Sequence, residues 1–213
     1  IVNCEASTGG GIFSEDGTIT INGGKIEGNK ATADISRVQS TFKQHGGGIF
    51  CYTIGNPDNT TVNLISGSIS NNTAGKDGGA LHFTTRCNNL GVLNMSGGTI
   101  QGNTASHGAG IYSFGGEVSL SGGSITGNTA TAYGGGVYYA PFDHTVFLSG
   151  SPKVTGNTSG GNADNIYLDS LDADSDSTPS IIITGALSED AAIGVTRWKT
   201  PTETEPVKLV AEP

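Results

Sequence analysis

The sequence predicts an all-β fold, a parallel β-helix (solenoid) of about six coils. Three observations carry this: a short turn motif that returns along most of the chain, an alternating apolar segment before each copy, and glycines at fixed places within the repeat. Self-similarity at a period of tens of residues marks a solenoid. Period-2 alternation bounded by Gly, Ser and Asn marks strands rather than helices.

The turn motif reads IEGNKA (26–31), ISNNTA (69–74), IQGNTA (100–105), ITGNTA (125–130) and VTGNTS (154–159). Ahead of the copies run ITINGG (19–24), VNLISG (62–67), LNMSGG (93–98), VSLSGG (118–123) and VFLSG (146–150). Behind them come GGGIF (46–50), GGALH (78–82), GAGIY (108–112) and GGGVY (134–138), with GGGIF at 9–13 opening the series. The shared asparagines Asn29, Asn72, Asn103, Asn128 and Asn157 are spaced by 43, 31, 25 and 29 residues, so 25 is the bare unit and the excess is insertion. Such coils stack roughly 4.8 Å apart.

Stacking turns the alignment into columns. Ile12, Ile49, Leu81, Ile111, Val137 and Ile166 are expected to point inward, as are Ile26, Ile69, Ile100, Ile125 and Val154. Ile21, Leu64, Met95, Leu120, Leu148 and Ile183 complete a three-sided core. The five asparagines are expected as a structural ladder at a turn, each amide donating to the next. The 35 glycines of 213 residues are phased, which a disordered chain would not require.

A single solenoid accounts for residues 1–195, and residues 196–213 are expected as a C-terminal cap and linker, with PTETEP (201–206) extended. The opening IVNCEASTGGGIF aligns with ITGNTATAYGGGVY, which puts Cys4 where Asn128 stands and starts the chain in mid-coil, so flanking domains of the native chain are expected. Net charge is −9 without a Lys/Arg cluster, which argues against nucleic acid and anionic membrane surfaces as partners. No apolar run approaches the roughly 20 residues of a membrane-spanning helix, so no membrane insertion is expected.

Insertions interrupt the coils. In TADISRVQSTFKQ (32–44), Ile35, Val38 and Phe42 have the spacing of a short amphipathic helix lying on the solenoid. CYTIGNPDNT (51–60), FTTRCNNLG (83–91) and YYAPFDH (138–144) fall at one corner and place Asp58, Arg86, Asp143 and His144 along one rim. Cys51 is expected inward, with a bridge to Cys87 or two free thiols as the alternatives. Asp172, Asp174 and Asp176 alternate like the start of a calcium loop, but Ser177 and Ile183 stand where Gly and the bidentate Glu belong, which favours a solvated acidic loop.

Two outward columns are candidates for function. Phe13, Phe50, His82, Tyr112, Tyr138 and Tyr167 follow the inward aliphatic residue and are expected to be at least partly exposed. They read either as a platform for sugar rings or as an aromatic ladder that only stabilises stacking. Ligand contacts are assigned to Tyr112, Tyr138, His82, Tyr133, Asp143 and His144. Thr8, His45, Asp77, His107, Tyr133 and Asn162 precede the glycines. A carboxylate between two imidazoles, as in His45, Asp77 and His107, reads as an acid/base group, as the ligands of a Zn²⁺-like site, or as an ordinary polar turn. No cofactor is expected, since GxSxG, HExxH and GxxxxGK[ST] are all missing.

With GGALH, GGGIF and GAGIY in place, the chain resembles the right-handed parallel β-helix repeats of bacterial surface proteins. It is similar to the GGA-I and FxxN repeats of chlamydial polymorphic outer-membrane proteins, the second as IxGNxA with Ile for Phe. The closing NIYLD…IIITGALSEDAAIGV and the acidic balance look like large repeat-bearing surface proteins of Gram-positive gut bacteria. The resemblance implies a secreted or cell-surface location, and the regularity of coils three to five and the lack of paired carboxylates favour a module without catalysis, an adhesin or scaffold segment that contacts glycans or another surface protein. Its alternative is a carbohydrate-active enzyme, a glycoside hydrolase or polysaccharide-lyase-like protein, using Asp77 with His45 or His107.

Overall fold

The computed structural model describes residues 1–32, 43–53, 60–85, 91–140, 145–169, 180–197 and 209–211. Within them the chain is all-β and coils into stacked parallel strands. One sheet has seven strands, running from Ile12–Glu15 through Ile49–Thr53, Leu81–Thr85, Ile111–Phe114, Val137–Ala140 and Ile166–Leu168 to Val195–Arg197. A second begins at Glu5–Ala6 and steps through Lys30–Ala31, Thr73–Ala74, Thr104–His107 and Thr129–Tyr133 to Thr158–Ser159. The third bends. Its long strands Thr18–Glu27 and Thr61–Ser70 serve two sides at once, and later coils divide them into pairs such as Gly116–Leu120 and Ser124–Thr126.

Register is in step across coils: Ile100 pairs with Ile69 and Ile125, and Ile111 with Leu81 and Val137. One contiguous core therefore runs along the stack, built from Ile49, Leu81, Ile111, Val137 and Ile166, from Ile69, Ile100, Ile125 and Val154, and from Leu64, Met95, Leu120 and Leu148, with Ile12 packed against it. The second sheet buries small side chains, Ala31, Ala74, Ala105 and Ala130, the last three in a small cluster of their own with Ala109. Among the described residues no helix is long and apolar enough to cross a membrane.

The glycine triplets are dictated by this stacking. The first Gly of each triplet is left-handed, as in Gly46 (φ 67) and Gly78 (φ 72), a backbone that L side chains rarely adopt. The later positions lie against backbone: a Cβ on Gly47 would come 2.5 Å from the Gly79 carbonyl oxygen. Elsewhere glycine makes room for a ring. Phe83 fills the core beneath Gly91, where an added Cβ would sit 1.8 Å from the ring Cζ. Gly91→Ala is expected to cost about 2 kcal/mol by overpacking. The cost should shrink in a Phe83→Leu background, as a double-mutant cycle on urea midpoints will measure.

The asparagines are fully buried and bonded in series. The Nδ2 of each donates to the Oδ1 of the next, Asn29 to Asn72 at 2.9 Å, Asn72 to Asn103 at 3.0 Å, Asn103 to Asn128 at 2.9 Å and Asn128 to Asn157 at 2.9 Å. Each Oδ1 from Asn72 onward also accepts the backbone N–H of the preceding asparagine, and each Nδ2 reaches back to the carbonyl of the preceding coil's Ile, as Asn103 does to Ile69 at 3.1 Å. Cys4 N–H donates to Asn29 Oδ1 in the same way, so Cys4 holds an asparagine's place. At the far end Asn157 donates to Asn165.

Cys51 is a free, buried thiol, and burial pushes its pKa up to about 12. Cys87, the partner in the alternative of a bridge, lies outside the described residues, as do the helix expected over 32–44 apart from its two ends, the rim residues Asp58, Arg86, Asp143 and His144, the acidic loop with Asp172, Asp174 and Asp176, and PTETEP.

Candidate functional site

Across the glycine turns the residue before the glycines meets the aromatic position of the following coil: His45 lies against His82 at 4.7 Å, His107 against Tyr138 at 5.3 Å and Tyr133 against Tyr167 at 4.8 Å. The two outward columns therefore become neighbours. In the first, ring faces stack along the solenoid: Phe13 on Phe50 at 5.4 Å, Phe50 on His82 at 5.0 Å, His82 on Tyr112 at 4.7 Å, Tyr112 on Tyr138 at 5.1 Å and Tyr138 on Tyr167 at 5.5 Å. All five pairs lie within 17° of parallel. The expected exposure of this column holds at only two of its six positions. Phe13 is 53% exposed and Tyr112 half-buried, whereas Phe50, His82, Tyr138 and Tyr167 are buried, because each ring covers the faces of its neighbours. What the interior of the ladder offers a ligand is ring edges and hydroxyls, not faces.

The second column is polar. His45, Asp77 and His107 follow one another on consecutive coils, Asp77 and His107 joined by a parallel bridge and His107 paired with Tyr133. His107 Nδ1 is 2.8 Å from Asp77 Oδ1, and His45 Nδ1 is 3.2 Å from Asp77 Oδ2. The column ends at Tyr133, which stacks on Tyr167 at 4.8 Å and is 42% exposed. Asn162 is not its next member: it lies in an antiparallel hairpin opposite Ser159, and the Asp164 carboxylate instead accepts the Gly134 N–H at 2.7 Å.

The columns meet at His82. Its ring receives His45 edge-on, centroids 4.7 Å apart, and its Nδ1 is buried without a hydrogen-bond partner. One donor atom from each of His45, Asp77 and His82 falls within 4.8 Å of the others, the one such group among the described residues. His107 stands on the opposite oxygen of Asp77, so the donors that converge are not the His45, Asp77 and His107 set suggested by coil order.

Charges follow from these contacts. Burial raises the Asp77 pKa, but His107 and His45 lower it more, and the carboxyl is held well below the usual carboxylate range. An ionised Asp77 accepts protons weakly and has none to donate at neutral pH. Burial, with His45 nearby, pushes the His82 pKa down to about 3. Tyr112 and Tyr138 are raised, first by burial, then by Asp77 and Asp169 for Tyr112 and by Asp169 for Tyr138, whose hydroxyl donates to Asp169 Oδ2. Asp169 is the residue that sequence columns miss: it follows the last aromatic position, where the repeat loosens.

The His82 shift has a testable sign. Between about pH 6.5 and 3 the unfolded chain binds a proton at His82 that the folded chain refuses, so acidification favours unfolding. At about 1.4 kcal/mol per pH unit, roughly 2 kcal/mol is lost on going from neutral pH to pH 5. His82→Phe, which keeps a ring in the stack, should lose about 2 kcal/mol less than wild type over the same interval in urea titrations.

Residues 66–84, which carry Asn72, Asp77 and His82, match the Chlamydia polymorphic membrane protein (Chlamydia_PMP) repeat. No curated protein and no solved structure matches the chain. The matched repeat and the curled sheets of parallel strands fit a β-helix-like repeat protein.

Proposed function

We propose that the chain is a non-catalytic module on the outside of a bacterial cell, a rigid solenoid that holds out one rim to glycans or to another surface protein. The matched repeat suggests a surface-exposed, membrane-associated protein. The observation that carries the non-catalytic reading is how the polar side chains are used: the buried amides satisfy one another, and the aromatic faces cover one another. Contact then falls to Tyr133, which is 42% exposed, and to the half-buried Tyr112, with Asp143 and His144 proposed from the sequence as further contacts.

A glycan array on the wild-type chain and on Tyr133→Ala/Tyr112→Phe tests the glycan arm. The reading expects binding that the double variant loses while its melting temperature stays within a few degrees. Binding that survives both changes removes the glycan rim from the proposal. The enzyme alternative rests on Asp77, which His107 and His45 flank at 2.8 and 3.2 Å. Oligosaccharide turnover that disappears in Asp77→Asn would replace the scaffold reading with that one.

A further inference from the structure

We propose that His45, Asp77 and His82 bind a divalent first-row transition metal, of which Zn²⁺ is the natural probe. The proposal does not depend on which partner the rim takes.

Two imidazole nitrogens and one carboxylate oxygen are a donor set for Zn²⁺ and its neighbours rather than for Ca²⁺ or Mg²⁺, which prefer oxygen. Ligand atoms around a tetrahedral zinc lie about 3.4 Å apart, given bonds of about 2.0–2.2 Å. His45 Nδ1 and Asp77 Oδ2 already stand at 3.2 Å, and all three donors fit within 4.8 Å, so small side-chain rotations close the set.

The site is built rather than incidental. His82 is 3% exposed, clamped between Phe50 and Tyr112, and its Nδ1 has no hydrogen-bond partner. His45 Nδ1 is also buried, and it touches Asp77 without a directed hydrogen bond. A buried polar atom left unpaired, as His82 Nδ1 is, costs its full desolvation, and the donors of His45, Asp77 and His82 already converge within 4.8 Å. A metal ion would engage all three groups together.

His107 supplies the outer support. Its bond to Asp77 Oδ1 fixes the carboxylate plane and leaves Oδ2 toward His45, the arrangement by which outer groups orient metal ligands. His45 and Asp77 keep 12% and 16% of their side chains exposed, which gives an ion a way in. Three protein ligands leave a fourth position to water or to a group on a bound partner.

Co²⁺ and Zn²⁺ titrations of the whole chain, followed by visible absorption and calorimetry, test this. The expected result is one ion per chain, the intense visible bands of four-coordinate Co²⁺ without thiolate charge transfer, and displacement by Zn²⁺. His45→Gln and His82→Phe should each abolish these bands, and His107→Gln should weaken affinity by about 10–100-fold. His82→Phe keeps the aromatic stack, so its circular dichroism and melting curve separate lost ligation from lost fold. Six-coordinate Co²⁺ spectra, thiolate charge transfer, or equal affinity in wild type and His45→Gln would overturn the site.

Discussion

Asn128→Ala is expected to lower stability by about 4 kcal/mol, on the order of 10 °C in Tm. Asn128 Oδ1 accepts both the backbone N–H and the Nδ2–H of Asn103, at 3.0 and 2.9 Å. Its Nδ2 donates to Ile100 O at 3.1 Å and to Asn157 Oδ1 at 2.9 Å. Alanine deletes four buried hydrogen bonds and leaves the backbone N–H of Asn103 without its acceptor. Asn128→Asp is a sharper variant. It keeps both accepted bonds but turns the two donated ones into oxygen against oxygen, so it should be at least as damaging at neutral pH. Thr129→Ala, one residue on and exposed, is the control and should cost less than about 0.5 kcal/mol. Calorimetry and urea melts on the four proteins give the ranking.

Gly79→Ala is expected to cost about 3 kcal/mol, even though alanine normally suits a strand border better than glycine. A Cβ there would stand 2.4 Å from Ala109 O, 2.7 Å from Thr104 O and 2.9 Å from Thr104 N, all backbone of the next coil. Nothing can rotate away, so the coils must separate. Gly127 supplies the comparison. It has φ +63 but nothing within 4 Å of an added Cβ, so Gly127→Ala should cost only the roughly 1–2 kcal/mol of a left-handed side chain. A larger loss at Gly79 than at Gly127 is what close coil-to-coil contact demands. Equal losses would mean that the triplet glycines serve only as turns.

The inward columns are legible in the sequence because burial repeats a demand once per coil. Each coil must place an aliphatic residue at Ile69, Ile100 and Ile125, and a buried turn needs the same amide each time. The site is only partly legible because it depends on contacts between columns. Coil order places Asp77 between His45 and His107, and those contacts are present. That order does not reveal that His45 lies against His82 of the following coil, since this is a contact between two different columns. Alternation marks His82 and Tyr138 as outward, which on an isolated strand means exposed. On a stack of rings about 5 Å apart, outward residues bury one another. Asn165 escapes the repeat for a different reason: a hairpin brings it to Asn157 after only 8 residues, well short of one coil.

The central claim, an in-register solenoid locked by a buried amide ladder, is tested most directly by NMR of the asparagine side chains. The Nδ2 protons of Asn72, Asn103 and Asn128 should exchange far more slowly than those of exposed asparagines and show cross-peaks from one coil to the next. Exchange at the rate of free asparagine, or the lack of any contact between successive side-chain amides, would contradict it.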